Sequence, residues 1–121
     1  MNIVALHHVQ IAMPKGGEEA ARKFYQGVLG LAEVEKPPIL AARGGVWFEQ
    51  GQVRVHLGVE EGFQPAQKAH PAFQVNGVVE LLAHLRAAGV AVVKDDNLPG
   101  FKRGYVSDPF GNRIELLEPA I

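Results

Sequence analysis

The fold of this chain is indicated most clearly by one stretch near its C-terminal end, Asp108-Pro109-Phe110-Gly111-Asn112-Arg113-Ile114-Glu115-Leu116. Its Pro-Phe-Gly-Asn centre is typical of a hairpin turn, because proline and glycine supply the backbone angles that turns require. The residues that follow alternate in polarity, as they do in a strand with one buried face. The stretch therefore predicts a turn that leads into a strand, with Glu115 on the polar face.

Three earlier segments repeat this combination of an apolar and a polar face; they begin at Leu6, Val53 and His70. Alternation places a histidine on the polar face of each segment. Together, the polar faces of the four strands carry His8, His56, His70 and Glu115. A solvated sheet face is the ordinary explanation of such polarity, but that face usually carries Lys, Glu and Thr. Imidazole nitrogens and a carboxylate oxygen are ligands that zinc, nickel, cobalt and iron prefer, so these four residues are candidate metal ligands.

Two segments have helical periodicity, from about Glu18 to Leu29 and from about Val78 to Ala88, and each ends at a glycine. About three short strands follow each helix, and the two halves can be aligned so that His8 matches His70. This internal repeat predicts two βαβββ modules, residues 1–60 and 65–121, in a single α+β domain over residues 1–121. We expect curled mixed sheets that form a cup around the metal site.

Composition excludes several classes of protein. The chain is 47% hydrophobic and 21% charged, as is usual for a globular domain, and no apolar run approaches the about 20 residues needed to cross a bilayer. A net charge of −1 gives no basic surface for nucleic acid, and the absence of cysteine excludes disulfides and thiolate catalysis. The N-terminal residues do not have the pattern of a secretory signal, so we expect a cytoplasmic protein.

At these residues the chain resembles the glyoxalase, bleomycin-resistance and extradiol-dioxygenase superfamily, also called the vicinal oxygen chelate superfamily. The resemblance covers nearly the whole chain, and its most specific part is the closing Asp108–Leu116 motif. The other segments that carry it are His8-Val9-Gln10-Ile11, Phe24-Tyr25, Val28-Leu29-Gly30-Leu31 and His70-Pro71-Ala72-Phe73.

The resemblance implies paired modules around a metal-containing cleft, with His8, His70 and Glu115 as matching ligands. His56 lies where glyoxalase I has a fourth ligand, commonly glutamate, so a histidine departs from that pattern but keeps the capacity to bind metal. Three ligands alone would be similar to dioxygenases and fosfomycin-resistance transferases, whereas four are similar to glyoxalase I. Relatives that sequester drugs of the bleomycin kind lack the metal ligands.

The leading hypothesis is therefore a glyoxalase-like, metal-dependent lyase or isomerase that acts on a small oxygenated substrate. Its cofactor would be one divalent ion (Zn, Ni, Co, Mn or Fe), and Glu115 is the candidate catalytic base. An Fe(II) extradiol-type dioxygenase and a non-catalytic protein that binds a small molecule or drug are the alternatives.

Strand alternation and the repeat also suggest residues that bind the substrate. Trp47 and Tyr105 occupy equivalent places in the two modules and are candidate pocket walls. Arg103 and Arg54 are candidates for binding an anionic substrate group. The resemblance further implies a homodimer, in which modules from two chains complete each cleft.

Overall fold

The computed structural model describes residues 1–121, which divide into two units, Met1–Gln64 and Pro65–Ile121. The first unit contains a four-stranded sheet in the order β1-β4-β3-β2, in which β1 and β4 are parallel and the other pairs are antiparallel. Its strands are β1 (Val9–Met13), β2 (Ala32–Val34), β3 (Val46–Gln50) and β4 (Val53–Val59). Its helices are α1, which is α-helical over Glu18–Ala21 and a π-helix over Arg22–Val28, and the short α2 (Pro38–Ala41).

The second unit repeats this sheet. It contains β5 (Ala72–Gln74), α3 (Val78–Ala87), β6 (Val92–Lys94), β7 (Phe101–Ser107) and β8 (Arg113–Pro119). The order is β5-β8-β7-β6, again with one parallel pair, β5 and β8, and antiparallel neighbours elsewhere. The predicted α+β class with two βαβββ sheets is confirmed.

Each sheet buries its apolar face against a helix. In the first unit, Tyr25 of α1 is fully buried, and its ring stacks on Phe48 of β3 at 5.6 Å between centroids. In the second, Gly104 of β7 leaves room for Leu82 of α3, since a Cβ at residue 104 would lie 2.8 Å from a Leu82 methyl group. This burial orients the polar faces of the strands, including that of Glu115, away from the helices.

Several local predictions differ from the structure. Strand β1 begins at Val9 rather than Leu6, so His7 and His8 precede it and are exposed. The N-cap of α3 is Gly77, which has no side chain to cap the helix. The carboxylate of Glu118 instead accepts hydrogen bonds from the backbone N–H groups of Gly77 (2.7 Å) and Val78 (3.1 Å). The sequence reasoning also missed β2 and α2, which are both short.

The predicted helix ends are confirmed, because Gly30 and Gly89 have φ values of +79° and +84°, in the left-handed region that glycine adopts without strain. None of the helices has the length and apolar character required of a membrane span.

Candidate metal and substrate site

In the second unit, His70 and Glu115 are in direct contact. Ala72 of β5 lies opposite Glu115 in the parallel pair with β8, and this register places His70, just before β5, beside the carboxylate. Nε2 of His70 is 2.9 Å from Oε1 of Glu115, and Nδ1 of His70 is 2.9 Å from the carbonyl oxygen of Lys68. A carbonyl only accepts, so Nδ1 carries a hydrogen and Nε2 faces the carboxylate. With the hydrogen on Nδ1, Nε2 of His70 and Oε1 of Glu115 both present lone pairs to each other. Either a hydrogen on Nε2 or a metal ion between the two atoms is therefore needed for this contact.

The second oxygen of Glu115 is held by Arg103. Nη1 of Arg103 is 3.2 Å from Oε2 of Glu115, and Nη2 is 3.4 Å from Oδ1 of Asp95. The Arg103 side chain is only 15% exposed, and its buried Nε has no hydrogen-bond partner. Arg103, predicted to bind substrate, therefore uses its two terminal nitrogens on carboxylates of its own unit.

Glu115 is buried yet remains a carboxylate. Burial alone would raise its pKa, but hydrogen bonds with His70, Arg103 and Tyr105 outweigh burial and hold the pKa below its usual value. Glu115 is thus negatively charged at neutral pH, as a metal ligand must be.

Tyr105 lies beside this pair and also contacts a second arginine. It is directly opposite Glu115 in the antiparallel pair of β7 and β8. Its ring meets the His70 ring at 83° with centroids 5.3 Å apart, while the guanidinium carbon of Arg113 lies 3.9 Å from its centroid. Sequence reasoning did not single out Arg113, although alternation already placed it on the face that carries Glu115.

The turn before β8 positions Arg113 and Glu115. Oδ1 of Asp108 accepts backbone hydrogen bonds from Phe110 (2.9 Å) and Asn112 (2.8 Å), and Oδ2 accepts one from the Asn112 side chain (2.8 Å). Both Asp108 and Asn112 are buried. The Asp-Pro-Phe-Gly-Asn motif therefore has a structural role, which is to fix the backbone that leads into β8.

In the first unit, His56 is covered by two aromatic rings. Trp47 lies opposite it across β3 and β4, and the two rings stack at 3.8 Å with an angle of 4°. The His8 ring stacks on His56 at 4.3 Å and 20°. Only 6% of His56 is exposed, and burial, followed by the proximity of His8, lowers its pKa. A neutral imidazole results, which is the form that binds metals.

The remaining candidates of the first unit lie around this stack. His8 is exposed, and its Nδ1 is 3.0 Å from Nδ1 of His7. Arg54 donates to the backbone oxygen of His7 at 3.2 Å and lies 3.7 Å from Glu49. Trp47 also lines an open cavity of about 450 Å³, together with Lys36 and Val34. Trp47 is thus available as a pocket wall, whereas Arg54 already has partners.

Each unit thus brings together two candidate ligands, His8 with His56 and His70 with Glu115. The chain has no group of three or more His, Asp or Glu side chains that could hold a metal ion. The pair in the second unit fits a divalent ion. Two atoms at 2.0–2.2 Å from one ion lie about 2.8–3.1 Å apart at a 90° angle and about 3.3–3.6 Å apart at the tetrahedral angle. The His70 to Glu115 distance of 2.9 Å matches the 90° arrangement and is also the length of a hydrogen bond. The contact of Nδ1 of His70 with a backbone carbonyl is the usual second interaction of a histidine ligand.

The sequence matches the model of the Glyoxalase/Bleomycin resistance protein/Dioxygenase superfamily over residues 5–116. The chain belongs to this superfamily. Its fold is very similar to that of a putative glyoxalase family protein from Bacillus anthracis, with 47% identity over 98% of both chains and a TM-score of 0.95.

More distant solved structures share the fold alone. A lactoylglutathione lyase from Agrobacterium tumefaciens is 23% identical over 98% of this chain and 96% of its own, with a TM-score of 0.76. The antibiotic-binding protein TnmS3 from Streptomyces sp. CB03234 is also 23% identical, over 98% and 100% of the chains, with a TM-score of 0.75. No match was found among curated proteins. Proteins described by different functions thus share this fold.

Proposed function

We propose that the protein is a metal-dependent lyase or isomerase that acts on a small molecule with two neighbouring oxygen atoms. The contact between His70 and Glu115 is the observation that carries this proposal, because a fixed imidazole and an ionised, buried carboxylate face each other at ligand spacing. His8, His56, His70 and Glu115 would hold one divalent ion. When bound, that ion would supply Lewis-acid polarisation of the substrate.

The residues of this chain would then bind, orient and deprotonate the substrate. Glu115 is the candidate base for the carbon next to the polarised oxygens, since its carboxylate is ionised and contacts the other candidate ligand of its unit. Tyr105 would form one wall beside His70, and Trp47 would form another beside His56. Both rings are partly exposed, so substrate can reach them.

A homodimer belongs to the same proposal. Each unit brings together two of the four proposed ligands, His8 with His56 and His70 with Glu115, so a site with four ligands would need one pair of each kind. In a homodimer, a unit of the partner chain is available to supply the second pair. The molecular mass in solution, measured by light scattering over a range of concentrations, tests this; a monomer of 13.1 kDa at all concentrations would contradict it.

The enzyme activity can be tested by proton exchange. The protein, reconstituted separately with Ni, Co and Zn, would be incubated with hydroxyacetone in D₂O, and loss of the hydroxymethyl proton signal followed by NMR. We expect metal-dependent exchange that is lost in Glu115→Gln. Metal binding without exchange would reject the proposed chemistry, and absence of metal binding would favour a non-catalytic binding protein.

An Fe(II) dioxygenase is the second candidate function, and the stacking of the Trp47 ring on His56 favours it. If Trp47 keeps His56 away from the metal, the ligands that remain are His8, His70 and Glu115, which is the two-histidine, one-carboxylate set of non-haem Fe(II) oxygenases. Oxygen uptake with catechol by the Fe(II)-loaded protein under controlled oxygen would support this candidate.

A further inference from the structure

Arg113 differs from the other arginines in its surroundings. Arg22, Arg54 and Arg103 each pair with a carboxylate, namely Glu33, Glu49 and Glu115. Arg43 and Arg86 have no such partner, but both are exposed on the surface. Arg113 is half-buried on the face of β8 that carries Glu115, and it makes no ion pair and no side-chain hydrogen bond. A partly desolvated cation without an anion therefore lies on the face that carries the candidate ligand pair.

The Tyr105 ring holds this cation in place. The guanidinium carbon is 3.9 Å from the ring centroid, within the distance at which the face of an aromatic ring attracts a cation. This contact orients the guanidinium and leaves its five N–H groups without a protein acceptor. The same ring contacts His70, so a single side chain joins the free cation to the candidate ligand pair.

The strand register supports this arrangement. Arg113 pairs with Ser107, and Glu115 pairs with Tyr105, so Tyr105 is the diagonal neighbour of Arg113 on the same face. The Asp108 turn fixes the backbone immediately before Arg113. A side chain that is held by its backbone and by an aromatic ring loses little further entropy when it binds a ligand.

We infer that Arg113 binds a carboxylate group of the substrate, separate from the two oxygens that reach the metal. A guanidinium presents paired donors that match the two oxygens of a carboxylate, and the absence of a protein carboxylate leaves those donors available. The inference rests on the proposed function and narrows its substrate class to small anionic molecules. It differs from the prediction that Arg103 binds the anion, since Arg103 already pairs with Glu115 and Asp95.

Two hydroxamates test the inference. Acetohydroxamate and succinohydroxamate chelate a metal through the same two oxygens, and only the second carries a carboxylate. The dissociation constant of each would be measured by calorimetry on the Zn-loaded protein and on its Arg113→Gln, Arg113→Lys and Arg86→Gln variants. We expect the wild-type protein to bind succinohydroxamate about 10-fold or more tightly than acetohydroxamate, as a charge-assisted pair implies.

In Arg113→Gln this preference should fall to near one, while the affinities for zinc and acetohydroxamate stay unchanged. Arg113→Lys should keep part of the preference, and Arg86→Gln, which alters an exposed arginine of α3, should keep all of it. The inference would be overturned, and the proposed function left standing, if the wild-type protein bound the two hydroxamates with equal affinity. The same holds if Arg113→Gln kept the wild-type preference for succinohydroxamate. Failure to bind zinc or acetohydroxamate would overturn the proposed function and the inference with it.

Discussion

Nε2 of His70 lies 2.9 Å from Oε1 of Glu115, although 45 residues separate the two in the sequence. The parallel pairing of β5 with β8 brings them together, because Ala72 and Glu115 are register partners. The contact has the spacing of two ligands on one ion, and the tautomer of His70 is fixed by the carbonyl of Lys68.

Replacing either residue of this pair should therefore weaken metal binding. We expect His70→Ala and Glu115→Gln to lose more affinity than the roughly 10- to 100-fold that follows loss of an outer partner. Metal content after reconstitution and calorimetric affinity are the measurements. His84→Ala, in an exposed histidine of α3, is the control and should keep full metal content. Unchanged metal content in both site variants would refute the assignment.

Arg103 should support the metal site through Glu115. Its Nη1 holds Oε2 of Glu115, and Asp95 holds its Nη2, so Arg103→Met would free the carboxylate to rotate. We expect metal affinity to fall roughly 10- to 100-fold, with a smaller loss in Asp95→Asn. The matched variant is Lys102→Met, because Lys102 is exposed on the same strand. If Arg103→Met bound metal as tightly as the wild type, the contact would not position Glu115.

The cap of α3 should make stability depend on pH. Glu118 accepts hydrogen bonds from the N–H groups of Gly77 and Val78, which lower its pKa below the ordinary value of 4.5. Because the folded-state pKa is lowered, the stabilisation is complete above the unfolded-state pKa and is lost as the pH falls through the folded-state pKa. The melting temperature of Glu118→Gln should thus lie below that of the wild type at pH 7 and approach it at pH 3. Glu61→Gln, at an exposed glutamate, should have the melting temperature of the wild type at every pH. If the difference between Glu118→Gln and the wild type stayed the same down to pH 3, the role of Glu118 as a helix cap would be contradicted.

The Asp108 turn should be a major source of stability in the second unit. Asp108→Ala removes three acceptor contacts and leaves the N–H groups of Phe110 and Asn112 without this partner. Hydrogen bonds to charged groups contribute about 1.5–3 kcal/mol each, so we expect a loss of at least about 2 kcal/mol in the free energy of unfolding, measured with urea. Asp96→Ala, at a largely exposed aspartate, should cost less than about 0.5 kcal/mol. A similar small loss in Asp108→Ala would show that the turn forms without the carboxylate.

Local patterns predicted the sheets and the pair in the second unit. Period-two alternation placed Glu115 on a polar face, and the glycines at 30 and 89 marked the helix ends, because both signals depend on the backbone of a few neighbouring residues. The repeat matched His8 with His70, and strand alternation placed both His70 and Glu115 on polar faces.

Long-range side-chain partners were not predictable in this way. Glu118 caps α3 from 40 residues away, and Arg103 is bound by Asp95 and Glu115 rather than left free for substrate. Alternation gives the face of a residue but not its partner, so it could not show that Arg103 pairs with two carboxylates. The strand β2 and the helix α2 were missed because three or four residues are too few to show a period.

The number of ligands depends on His56, which the pattern of the sequence could not decide. His56 is neutral and lies against His8, which favours coordination, but Trp47 covers its ring and leaves it 6% exposed. We expect His56→Ala to lower metal affinity by at least about 10-fold, because a lost ligand should cost no less than a lost outer partner. Trp47→Phe is the control, because it alters the packing around His56 but keeps the imidazole and an aromatic ring over it. This variant should bind metal as the wild type does. If His56→Ala kept the wild-type affinity, three ligands would remain, and the Fe(II) dioxygenase would replace the lyase or isomerase as the proposed function.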